Sequence, residues 1–262
     1  KEYALKFLKS KKNNVNKAVT KMKETLAFRN AKNVDMIRRA FEEESGDSSD
    51  PLEEEEEITI DKQKEQQKEC ARRLKQEIES KNCYVQGYDK EGRATYIFVP
   101  RNVKGHDEEW TLKEHIYTLE RAVACSRSDD HTVNAIVDFN GFSLKNAPPT
   151  HLGKEFMITF RNHYAGAINS IFLVDAPTTF YCLWNVFKPL VAQQTRDKIH
   201  FISSNKDNDL AQHYEPDQLA PWMVQKRSRD DGTQSTWREL DVEEYLYQTP
   251  FNRAFGEKGS SR

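Results

Sequence analysis

No run of 18 apolar residues occurs in the 262-residue chain, so nothing in it is expected to span a bilayer as a helix. The short apolar core of a secretory signal peptide is missing as well, and the chain opens at Lys1 without a methionine, as an excised domain would. Cysteine is scarce. Cys70, Cys83, Cys125 and Cys182 form no CxxC pair and no disulfide-framework spacing, which fits a reduced, cytoplasmic setting. There is no GxxxxGK[ST] loop, no GxGxxG turn, no HExxH helix and no GxSxG elbow. Gly141-Phe142-Ser143 departs from the elbow pattern at Leu144 and Lys145. The seven histidines (His106, His115, His131, His151, His163, His200, His213) lack ligand spacing and read as surface or supporting residues. No internal repeat is visible. These absences predict a protein without catalytic residues, bound metal or cofactor. One enzymatic alternative stays open: Asp138 and Asp175 end strands, where α/β proteins often bind ligands, although capping of the next helix is the plainer reading.

Charge is plentiful and segregated. Residues 1–41 hold twelve Lys/Arg against Glu2, Glu24 and Asp35, a balance of +9. Residues 42–57 hold ten acids and no base, a balance of -10, and the whole chain carries -2. The basic arm suits an anionic membrane or a solvated helix pair. Few aromatics are interleaved with its lysines, which argues against nucleic acid. The acidic insert is expected to fold back on the arm and weaken membrane docking. Ser45, Ser48 and Ser49 lie among its acids, where phosphorylation would add charge.

Five regions follow from the pattern: a helical lobe over 1–41 with a break at Lys12-Asn13-Asn14, a disordered acidic insert over 42–57, a polar helix within 58–80 from about Ile60, a larger α/β domain over 81–226, and a polar tail over 227–262, partly disordered from about Arg227. Within the domain, two strands flank an Asp-Lys-Glu-Gly turn between Tyr84 and Val99. A helix over 107–127 is marked by Leu112, Ile116, Leu119 and Val123. A strand at Val133–Phe139, a helix over 151–164 and a strand at Ile168–Val174 follow, the last read as buried on both faces. A final helix and the strand Lys198–Ile202 complete two crossovers, which imply parallel, right-handed units. A short helix and a Pro-containing turn come after Ser203.

The last of these domain helices is unusual. Phe180, Leu183, Trp184, Phe187 and Val191 fall on one face, while Tyr181, Val186 and Leu190 lie off it. Only Asn185 and Lys188 interrupt the apolar run. Such a helix must be deeply buried or must meet an apolar phase that is not protein. A mobile wall over a lipid cavity satisfies both sides.

Arg93 in Lys-Glu-Gly-Arg, Ala124-Cys-Ser-Arg, Ile136-Val-Asp-Phe-Asn-Gly-Phe-Ser, Phe172-Leu-Val-Asp-Ala-Pro and Phe187-Lys-Pro-Leu-Val resemble the CRAL-TRIO domain family, in its Sec-fourteen-type phosphatidylinositol transfer branch. The stretch from Leu5 to Ala18 resembles the helical lobe that precedes that domain. The resemblance covers about residues 3–223, interrupted by the acidic insert. It implies an α/β fold in which a mixed or parallel sheet is the floor, and helices the walls, of a lipid cavity, preceded by a small all-helical lobe. It also implies a monomeric, cytoplasmic, peripherally membrane-associated lipid carrier with phospholipid as ligand and only transient contact with membranes. The gate is Phe180–Leu190. Phe142, Phe156, Phe160, Phe172, Phe180, Leu183, Trp184, Phe187 and Leu190 are candidates for cavity and gate, though each aromatic also reads as plain core.

Carried over position by position, the head-group pattern is incomplete. Lys198 and Thr195 match positions that hold the inositol phosphate, Lys12 matches a basic residue of the lobe, and Lys11 stands where the family often has Arg. Without the resemblance, Lys198 reads as a solvated lysine at a strand start. The family's Tyr-Pro-Glu-Arg is here Tyr164-Ala-Gly-Ala, and Gly166 supplies no carboxylate. Val133 and Ala135 replace the Ser/Thr pair that holds a choline-type phosphate, and Ala220-Pro-Trp-Met223 replaces the Phe-Gly-Gly hinge. Phosphatidylinositol, or a less polar ligand, therefore fits better than phosphatidylcholine. A regulatory or protein-interaction module that has lost lipid transfer is the alternative.

Overall fold

The computed structural model describes residues 2–42, 54–104, 107–164, 166–191, 193–203, 210–223 and 237–256. Three helices open the chain: α1 (Glu2–Ser10), α2 (Val15–Ala31) and α3 (Val34–Arg38). The break expected at Lys12-Asn13-Asn14 is a left-handed turn, with φ of 52° at Lys12 and 62° at Asn13. Asn14 then accepts the Lys17 N–H at 3.0 Å, which satisfies one of the orphan donors at the start of α2.

Helix α4 (Glu54–Ile78) starts earlier than the expected Ile60 and takes in four residues of the acidic run, Glu54–Glu57. Glutamate is a good helix former, and carboxylates are stabilised in a first turn by the helix dipole. The rest of the insert, including Ser45, Ser48 and Ser49, lies outside the described residues. Ile37, Cys70, Leu74 and Ile78 of α3 and α4 pack with Tyr84, Ile97 and Tyr117. Lobe and domain thus share one core.

The sheet contains β1 (Cys83–Tyr88), β2 (Ala94–Phe98), β3 (Val133–Asp138), β4 (Ile168–Val174) and β5 (Ile199–Ile202), side by side in chain order. β1 and β2 are the antiparallel hairpin, and β2 to β5 are all parallel. The crossovers are α5 (Glu108–Cys125), α6 (Thr150–His163) and α7 (Thr178–Phe187), the last followed by a 3-10 turn at Lys188–Leu190 and by α8 (Gln193–Arg196). Consecutive crossovers of one hand place their helices on one face of the sheet. Tyr96, Ala135 and Val133 point to that face and pack with Leu119, Ala122 and Phe160. The alternate residues Ile136, Phe172, Val174 and Ile202 point to the other face, closed by Leu210, Tyr214, Leu219 and Met223. That cover includes α9 (Leu210–His213), the expected short helix, and a 3-10 turn at Pro216–Gln218. It approaches β1 closely: a Cβ on Gly87 (φ +78°) would sit 2.4 Å from the Gln218 carbonyl oxygen.

Two expectations need correction. β4 is fully buried only over Phe172–Val174, and Ile168–Ile171 are half-exposed, because helical cover over the α7 side of the sheet is incomplete. The tail is not simply polar. Residues 237–256 form a strap whose Leu240, Tyr245, Leu246 and Phe255 are buried in the core shared by lobe and sheet. Phe255 extends the β1 edge, donating its N–H to Val85 O at 3.0 Å.

Candidate functional site

Between the sheet and its crossover helices the lining changes from sealed to open. At the α5–α6 end, His115 packs on the rings of Phe156 and Phe98, with centroids at 3.9 and 5.0 Å, and its Nδ1 is hydrogen-bonded to Tyr96 Oη. Burial holds this imidazole neutral, its pKa pushed down to about 3, and leaves Nε2 without a partner. Next to it, burial raises the Glu114 carboxyl well above the usual range, while Asn82 Nδ2 donates to it at 2.7 Å. Val133 and Ala135 line the same face, both buried and both without a hydroxyl.

At the α7–β5 end the sheet is uncovered. Phe201 is 41% exposed, although it points to the helical face. Helix α7 meets it through Tyr181, stacked at 5.3 Å, and Trp184, edge-on at 6.5 Å. Phe180 anchors the start of α7 on Phe139 at 4.4 Å. Pro189 cannot continue an α-helix, and the chain tightens into 3-10 geometry there. Trp184, Ile199 and Phe201 are the apolar wall of a recess of about 350 Å³, and Lys188, Arg196 and Asp197 are its polar rim. Tyr181, Val186 and, on α6, Ile158 are exposed. Helix α7 thus covers this end of the sheet only in part, and apolar side chains of both stay exposed.

Of the cavity and gate residues expected from sequence, Trp184 lines the recess and stacks with Phe180 at 6.5 Å, while Phe156 and Phe160 pack against His115 and Tyr96 at the sealed end. Phe142 lies at the Phe139 end, edge-on at 5.2 Å. Phe172 is a correction. Its register partners Ile136 and His200 share the opposite face, and it packs on Tyr214 at 6.0 Å, so it is core and lines no cavity. The side chains of Leu183, Phe187 and Leu190 lie outside the described residues. Ile199, Phe201, Lys188 and Arg196 were not singled out from sequence. The alternation of Ile199 and Phe201 against His200 and Ile202 is the signal that marks the first two.

The head-group candidates sit on two elements. Lys198 and Thr195 share a turn, with the Lys198 N–H donated to Thr195 O at 3.1 Å. The Lys198 ammonium donates to Ile168 O at 2.8 Å. Lys11 and Lys12 occupy the α1–α2 turn, where Lys12 is exposed. Lys6 of α1 lies against Gly166, 4.0 Å from where a Cβ would be, and donates to His131 O at 2.7 Å.

Asp138 is fully buried and anchors structure: its carboxylate accepts from Asn140 N at 2.9 Å, Trp222 Nε1 at 3.1 Å and Arg101 Nη1 at 3.3 Å. It therefore caps no helix. Among the described residues no cluster of His, Cys, Asp and Glu has the arrangement to hold a metal ion, and no helix is long and apolar enough to cross a membrane.

The sequence profile of the CRAL/TRIO domain matches residues 78–221, more than half of the chain. The SEC14 cytosolic factor of Yarrowia lipolytica is 29% identical over 157 residues, covering 53% of this chain and 32% of that protein. The phosphatidylinositol/phosphatidylcholine transfer protein SFH4 of Arabidopsis thaliana is 26% identical over 160 residues, covering 52% and 26%. The chain thus spans a third or less of these curated relatives. The crystal structure of Sfh5 superposes with a TM-score of 0.62 at 14% identity, covering 93% of this chain and 80% of that one. Sheet floor, helical walls, preceding lobe and profile agree, and the chain belongs to the CRAL/TRIO domain family.

Proposed function

We propose that this protein binds one phospholipid between α7 and the uncovered end of the sheet and exchanges it with membranes as α7 swings. The observation that carries the reading is Phe201, an apolar residue on an inner sheet face left 41% exposed beneath a helix that is apolar on several sides. An acyl chain of about sixteen carbons buries roughly 13 kcal/mol of methylenes, and a bilayer offers nearly the same, so exchange sits near balance and the head group sets selectivity. Lys198 and Thr195, with Lys12 and Lys11 of the lobe, are the proposed phosphate contacts. Phosphatidylinositol is favoured over phosphatidylcholine, because Val133 and Ala135 offer no hydroxyl to a choline phosphate. The work is carriage, without bond-making chemistry, by a peripheral protein of the cytoplasm.

Transfer of labelled phosphatidylinositol between vesicles tests this. The chain should speed transfer, and Lys198→Ala should slow it at least about tenfold, the size of a lost charged hydrogen bond. Absence of transfer would favour the second reading, an interaction module without exchange. Two observations lean that way: the recess of about 350 Å³ is at the small end for a ligand pocket, and the Lys198 ammonium is already hydrogen-bonded to Ile168 O.

A further inference from the structure

Helix α2 presents a second apolar surface, on the lobe and away from α7. Val15, Val19, Met22 and Leu26 recur at i, i+4, i+7 and i+11, which is one line along the helix. The helix buries a different side, through Ala18 and Thr25. Near the end of that side, Phe28 stacks on His163 of α6 at 3.9 Å. The apolar line is left bare: Val15 is 62% exposed, Val19 45% and Leu26 56%, with Met22 half-buried. Around it the charge has one sign. Lys9, Lys12, Lys17 and Lys23 are exposed and form no ion pair with any described carboxylate, in a segment whose balance is +9. Asp35 is engaged by Arg29, and Glu24 by Lys21.

We propose that α2 is a docking surface for an anionic bilayer, with Val15, Val19 and Leu26 immersed at the level of the head groups and Lys23 and Lys9 on lipid phosphates. An exposed aliphatic line on a helix of a net basic lobe, with Lys23 beside it, is the composition of a helix that lies in a membrane interface. A nucleic acid would leave the valines and leucine uncovered. Charge complementarity, with attraction from several unpaired lysines, selects the anionic bilayer. Docking here needs no lipid in the cavity, so it stands or falls separately from transfer.

The test is co-sedimentation of the full chain with phosphatidylcholine vesicles with and without phosphatidylserine. Binding should require phosphatidylserine and weaken with salt. Val19→Ser/Leu26→Ser should weaken it at least about tenfold, through loss of two immersed aliphatic side chains. Lys9→Glu/Lys23→Glu should weaken it about twentyfold or more, since each basic residue at an anionic surface changes partitioning roughly fivefold. These positions are exposed, so unchanged circular dichroism melts are expected. A Leu26→Cys label in a Cys182→Ser background should shift to the emission of an apolar setting on the same vesicles. Wild-type binding by both variants would overturn the proposal. So would loss of binding only in Tyr181→Ser/Val186→Ser, which would assign docking to α7 alone. A serine pair that instead splits a dimer in ultracentrifugation, with vesicle binding intact, would make the line a protein interface and overturn it too.

Discussion

Glu114 and His115 are adjacent in α5, both buried, and burial pushes their pKa values in opposite directions, the carboxyl up and the imidazole down. Both are therefore favoured neutral in the fold. A raised carboxyl contributes most below its unfolded value of 4.5, and that contribution is lost as pH rises toward the folded value. Glu114→Gln should thus be more stable than wild type near pH 8, and the gap between variant and wild type should shrink toward pH 5. The histidine works the other way: with 6.5 unfolded and about 3 folded, it loses stability as pH falls. That loss is about 2 kcal/mol by pH 5 in either protein. Urea unfolding from pH 5 to pH 8 measures both effects, and a gap independent of pH contradicts a neutral buried Glu114. None of this was legible at single positions. The apolar period of α5 marks Leu112, Ile116 and Leu119 as its buried face, but lobe, sheet, α6 and strap surround the helix and bury its polar face as well. Val123, on the expected face, is only half-buried.

Elements with a clear period were readable, and the strap was not. β3, β4 and α6 fall within a residue of their expected bounds. Phe172 was misplaced because Ile171–Val174 is apolar throughout and the polar residues of β4, Asn169 and Ser170, are adjacent, so no alternation shows which face each residue takes. The strap spreads Trp237, Leu240, Tyr245, Leu246, Phe251 and Phe255 with no helical or strand period, so nothing local marks it. Its order comes from Arg121, a buried guanidinium on α5. Arg121 donates to Tyr245 O at 2.8 Å, Thr249 O at 2.9 Å and Pro250 O at 3.3 Å, and lies 3.8 Å over the Tyr245 ring. Arg121→Met removes these donors while keeping the bulk, and strands the buried Tyr245 carbonyl and the part-buried carbonyls of Thr249 and Pro250. The expected loss is about 2 to 4 kcal/mol, with cleavage by protease concentrated in 237–256. Protection of that segment equal to wild type would show that apolar packing alone holds the strap.

Across the whole molecule, the family fold and a helix apolar on several sides followed from sequence, while the cover over the sheet beside that helix did not. Motif order identifies a sheet floor and a helix apolar on several sides. How far that helix stands from β5 depends on packing across three crossovers and on whatever fills the space. The lobe adds a basic, partly apolar surface remote in sequence from the gate. The two surfaces suit a protein that docks through its lobe and exchanges lipid through α7. The most direct test of that account is native mass spectrometry of the purified chain after incubation with mixed phospholipids. One phospholipid per chain, enriched in phosphatidylinositol and depleted by Phe201→Ala or Trp184→Ala, is the predicted result. A chain that stays empty, or holds lipid equally well in both variants, would contradict a binding site beneath α7.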